Sequence, residues 1–141
     1  MFPEANCKPK LDNVMSNRQI IPIPNAHKVA APLAHAVRIG DLLYVSGVPG
    51  YFGDRELAVD DFEAQCEQAL DNLNIILTEA GSSFDKIVKT NVILTRQGDF
   101  AAMNDLYRKR FSAGNFPART TIIADLSRPE MLLEIEVVAA F

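Results

Sequence analysis

At 141 residues the chain has the length of one domain, and 48% hydrophobic residues give it enough apolar surface for a core. Fourteen Lys and Arg against eighteen Asp and Glu leave a net charge of −4, with no dense basic run, which disfavours a nucleic-acid groove. No apolar stretch approaches the ~20 residues that a membrane span needs, and two cysteines, Cys7 and Cys66, are too few for a disulfide scaffold and lack metal-ligand spacing.

Residues 1–18 lack hydrophobic periodicity and read as an N-terminal arm, flexible or draped on a partner, ahead of a single domain over 19–141. The start of the chain has no apolar h-region, so a secretory signal is not expected and the cytoplasm is the expected compartment. Ile20 to Ile23 is a short strand candidate, with Pro22 favouring a sheet edge. Ala36 to Ile39 and Leu42 to Ser46 flank Gly40-Asp41 and predict a tight hairpin. Gly47 to Val59, punctuated by Gly47, Pro49, Gly50 and Gly53, reads as a loop. Asp60 is placed to cap a helix, with Glu63 completing a capping-box pattern. Phe62, Cys66, Ala69, Leu70, Leu73, Ile76, Leu77 and Ala80 then recur at three and four, which is one helical stripe ended by Gly81. On that stripe Cys66 is expected to be a buried free thiol.

Ile87 to Leu94 reads as a central strand. Asp99 is placed to cap a second helix, with Met103, Leu106, Tyr107 and Phe111 inward and Gly114 as the stop. Arg108-Lys109-Arg110 on this helix reads as a solvated face. Strands over 119–124 and 132–140 close the chain, joined by a loop containing Ser127-Arg128-Pro129. The order β-β-β-α-β-α-β-β predicts an α+β fold: a single sheet with two helices on one face. The other face must then be covered, and sister subunits are the economical cover.

Two charges stand where these strands should be apolar. Arg119 opens Arg119-Thr120-Thr121-Ile122-Ile123, and Glu134 lies inside Leu132-Leu133-Glu134-Ile135-Glu136-Val137. A buried charge is costly unless paired or used. The fork of an arginine suits a carboxylate, and a glutamate can move a proton. A small pocket for an anionic substrate is the expected result. Glu134 and Glu136 are two apart and share a face, so spacing alone does not say which is catalytic.

Phe116-Pro117-Ala118-Arg119 followed by Leu133-Glu134-Ile135-Glu136 resembles the YjgF/RidA (L-PSP-like) family of enamine and imine deaminases. Val45-Ser46-Gly47, Gln65, Asn72-Leu73, Gly81, Val88-Lys89-Thr90, Asp99-Phe100, Asn104 and Tyr107 follow the same pattern in order, so the resemblance runs from about Ile20 to Phe141. It implies a chorismate-mutase-like fold and a homotrimer whose sheets form a central β-barrel, with sites in clefts between subunits. It implies that Arg119 grips the substrate carboxylate, that Glu134 handles the hydrolytic water, and that Asn104 and Gly47 line the site. The implied substrate is an imine or enamine acid like 2-aminoacrylate, released as a 2-oxo acid and ammonia, with no cofactor and no metal.

Two positions depart from the family pattern. Leu33, in Ala31-Pro32-Leu33-Ala34-His35, replaces a tyrosine that lies by the substrate in relatives, and Thr121 stands where many deaminases carry cysteine. The resulting wall is expected to be wider or more apolar, which suits a longer unsaturated amino acid such as a 2-aminomuconate-like one. The competing expectation is a non-enzymatic trimer that binds small carboxylates or acts as a chaperone. Ser46 has no His or Asp partner in sequence, which disfavours nucleophilic catalysis. His27 and His35 read as lone histidines with structural roles.

Overall fold

Strict alternation in the last strand, with Leu133, Ile135, Val137 and Ala139 buried, sets one apolar face around which the sheet is built. A computed structural model describes residues 17–141, so the expectation of an arm lies, for residues 1–16, outside the described residues. The six strands are β1 (Gln19–Ile20), β2 (Ala36–Ile39), β3 (Leu42–Pro49), β4 (Ile87–Leu94), β5 (Ala118–Ile123) and β6 (Leu133–Ala140). They lie in the order β1-β2-β3-β6-β4-β5. All neighbours are antiparallel except β4 and β5.

Helices α1 (Phe62–Glu79) and α2 (Phe100–Arg108) cover one face, as expected. The α1 stripe is buried from Phe62 through Leu77, with only Ala80 partly exposed. Each such Leu or Ile contributes roughly 1.5–3 kcal/mol by leaving water. Cys66 is fully buried among them, and burial pushes its thiol up to about 12. No helix of the described residues is long and apolar enough to cross a membrane.

Several boundaries move. The cap of α1 is Asp61, whose side chain accepts from the Ala64 N–H at 3.0 Å; Asp60 has φ +57 and forms the turn before it. Asp99 does precede α2 but caps nothing, because Arg96 holds its carboxylate at 2.7 and 3.2 Å. The helix ends at Arg108, well before Gly114, whose φ of +76 serves a later turn. Strand β3 does not stop at Ser46. A bulge between Val45 and Val48 lets it continue to Pro49, opposite Glu134. Nor is the basic cluster wholly solvated: Arg110 keeps 21% side-chain exposure and clamps α1 through Glu67 at 2.6 Å and Asp71 at 2.8 Å.

Candidate active site

Arg119 stands on β5 opposite Thr90 of the parallel neighbour β4, and in-register residues point to one face. Thr90 faces the helices, where its Oγ1 accepts from the Tyr107 hydroxyl at 3.1 Å. Arg119 does the same: its Nη2 donates to Asn104 Oδ1 at 2.7 Å, and its guanidinium lies 5.0 Å from the Tyr107 ring centre and 5.8 Å from that of Phe100. The amide of Asn104 therefore orients the guanidinium, and two aromatic rings support it. Arg119, Asn104 and Tyr107 line a cleft of about 450 Å³ together with Arg108, Phe116 and Pro117. Thr121, two residues on, has a buried hydroxyl without a hydrogen-bond partner among the described residues.

Glu134 lies elsewhere. Leu133 and Ile135 on either side are buried under the helices, so Glu134 and Glu136 point to the helix-free face. Glu134 shares a cavity of about 340 Å³ with Leu33, Gly47, Tyr51, Arg55, Arg128 and Met131. Its carboxyl lies against Gly47, where an added Cβ would overlap it. That explains a glycine inside β3 whose backbone angles any residue could adopt. Burial, and secondarily the charge of Glu136, raise the Glu134 pKa above the ordinary carboxylate value. Glu136 is instead held by Asn91, whose Nδ2 donates to Oε1 at 2.7 Å.

Arg119 and Glu134 therefore occupy opposite faces of the sheet within one protomer, in separate cavities. The structure groups Arg119 with Asn104, and Glu134 with Gly47 and Leu33; a single-chain pocket holding both charges does not form. Strand β5 is an edge of the sheet.

Buried amides hold the Glu134 cavity in shape. Gln65 of α1 donates to the carbonyls of Ala58 and Glu130 at 2.9 and 2.8 Å and accepts from the Leu132 N–H at 2.9 Å. Asn72 donates to the carbonyls of Pro49 and Tyr51 at 3.0 and 2.8 Å. Tyr51, Arg55 and Arg128 escape a reading by sequence, because they sit on loops whose convergence only the fold reveals. Ser46 is spent on the Ala34 carbonyl at 2.6 Å. The histidines are not lone. His27 and His35 meet edge to face with ring centres 4.8 Å apart, and neither ring nitrogen of His27 has a hydrogen-bond partner among the described residues. Burial, then the neighbouring imidazole, lowers the His27 pKa to about 4.

Comparisons with known proteins agree on the architecture. The family model for Endoribonuclease L-PSP matches residues 23–141. The RutC family protein UK114 of Drosophila melanogaster is 36% identical over 123 residues, which are 86% of this chain and 88% of that protein. A 2-iminobutanoate/2-iminopropanoate deaminase of Dermatophagoides farinae is 31% identical over 116 residues, 81% of this chain and 90% of the relative. The crystal structure of the Rid-family protein YyfA from Yersinia pestis superposes with a TM-score of 0.81 at 34% identity, covering 88% of this chain and 99% of that one.

Proposed function

The chain belongs to the L-PSP family, the YjgF/RidA group, and from that membership we propose that it is a cofactor-independent deaminase. In this reading it hydrolyses the imine or enamine of an unsaturated amino acid to a 2-oxo acid and ammonia. The relative named for 2-iminobutanoate and 2-iminopropanoate deamination supports the reaction class. The observation that carries it here is Glu134: a carboxyl without a described partner, with raised proton affinity, laid over a glycine in a cavity.

The chemistry asks little of the protein. An imine carbon is already electrophilic, so orientation and proton management suffice. Ionised Glu134 takes a proton from water as the oxygen bonds to the C=N carbon, and the nitrogen takes a proton from solvent. Glu134 then returns its proton to the nitrogen, the C–N bond breaks, ammonia leaves, and the oxygen gives its proton back to solvent as the carbonyl forms. An enamine first gains a proton at carbon to become the imine.

Arg119 is the carboxylate anchor, with Asn104 fixing its fork. Since the two charges face opposite ways in one protomer, the site forms at a junction where Arg119 of one copy meets the Glu134 cavity of the next. A homotrimer closed around the helix-free faces supplies such junctions, and the exposed Tyr44 and Ile122 on that face support it. The test is ammonia release from enzymatically generated 2-aminoacrylate. Arg119→Ala and Glu134→Gln should each lose about a hundredfold or more in kcat/KM. Rates equal to wild type defeat the site; carboxylate binding without turnover by wild type leaves a binding protein, the reading that Leu33 in place of the family tyrosine favours.

A further inference from the structure

The cavity that holds Glu134 also carries two arginines for which the hydrolysis has no use. The Arg128 guanidinium is built in: Nη1 donates to the Arg55 carbonyl at 2.7 Å, the group lies 5.4 Å from the Tyr51 ring centre, and Nε is 3.7 Å from a Glu130 carboxylate oxygen. Arg55 sits beside it with φ +62, in the left-handed region. A non-glycine residue there costs about 1 kcal/mol or more, and glycine would adopt the same angles freely. Among the described residues the Arg55 guanidinium is in no ion pair. A strained, cationic residue therefore stands at the cavity wall, claimed by no ion pair among the described residues.

The rest of the cavity says what such a cation would meet. Glu134 is the one acidic residue lining it among the described residues, against two arginines, Arg55 and Arg128. Val29, Ala31, Leu33 and Met131 supply apolar wall. About 340 Å³ is room for roughly ten waters at about 30 Å³ each, more than a three-carbon imino acid fills. A ligand matched to this lining has one acidic group at the imine, an apolar or unsaturated spacer, and a second acidic group.

We propose, resting on the deaminase reading, that Arg55 and Arg128 form a distal carboxylate subsite that selects imines of amino acids bearing a second carboxyl group. A planar fork suits a carboxylate better than a point charge does, so Arg55→Lys should retain only part of the preference. Arg119 serves every imino acid; Arg55 and Arg128 distinguish among them.

The experiment compares two imines generated in situ by amino-acid oxidases, 2-iminoglutarate and 2-iminobutanoate, with wild type, Arg55→Gly, Arg55→Lys and Arg128→Gln. Arg55→Gly suits the backbone at that position and keeps the fold. The ratio of kcat/KM for the diacid over the monoacid should favour the diacid in wild type, fall about tenfold in Arg55→Gly chiefly through KM, and fall less in Arg55→Lys. A ratio unmoved by Arg55→Gly and Arg128→Gln, or a wild-type preference for the monoacid, overturns the subsite. If wild type turns over neither imine, it is the deaminase reading that fails. Calorimetry with 2-oxoglutarate and 2-oxobutanoate then decides the subsite: tighter diacid binding that Arg55→Gly abolishes supports it, and equal binding overturns it.

Discussion

Asn91 engages Glu136 and leaves Glu134, two positions earlier on the same face, without a described partner. Spacing could not separate these two acids; their surroundings differ, one held by an amide and the other lining a cavity. The raised pKa of Glu134 has a sign that can be checked. Its neutral form is more favoured in the fold than in the unfolded chain, so between about 4.5 and the raised value the folded chain holds a proton that the unfolded chain has released, and stability falls as pH rises through that window. Carboxyl NMR titration should place Glu134 above 4.5, and Glu136→Gln should move it down, since the neighbouring charge is one cause of the shift; an unmoved value removes Glu136 from the account. Gly47 gives a second check. Gly47→Ala places a methyl group where the Glu134 carboxyl lies, and that flexible side chain can swing away. Activity should drop at least about tenfold while stability changes by less than about 1 kcal/mol, read from denaturant melts beside kinetics. Arg55 and Arg128 were illegible at this scale because nothing in a loop's composition says which wall it will form.

Local pattern carried the elements well where one face is buried. The α1 stripe, the β2–β3 hairpin and the bounds of β4 all follow from periodicity and turn residues. It failed where long-range pairing overrode local breakers. Gly47 and Pro49 read as loop residues, yet β6 pairs with β3 as far as Pro49 through the bulge. The facing of β5 was equally hidden, because Arg-Thr-Thr-Ile-Ile has no decisive alternation and its side is set by parallel pairing with β4. Gln65 links distant segments, satisfying carbonyls 7 and 65 residues away and an N–H 67 residues away. Gln65→Leu should cost about 3 kcal/mol, since it strands those buried groups, and Gln65→Glu should restore little of it because a carboxylate cannot donate to the two carbonyls. Urea midpoints measure both; a loss under about 1 kcal/mol would mean that water replaces the amide.

At the scale of the molecule the helix-free face combines apolar Tyr44 and Ile122, 49% and 50% exposed, with Lys89, Asn91 and Glu136. One sheet with helices on a single side was legible from element order. That the two charges emerge on opposite sides of one protomer's sheet was not, and under the proposed reading a neighbouring copy must complete the site. Light scattering should give three times the protomer mass, and a monomer active at nanomolar concentration would contradict the junction. The same geometry has a genetic reading. Arg119→Ala and Glu134→Gln disable different halves, so chains of the two kinds, unfolded together and refolded as hybrids, regenerate intact junctions at about one in four. Two dead proteins would then complement each other in one tube, which a site confined to one chain could never permit.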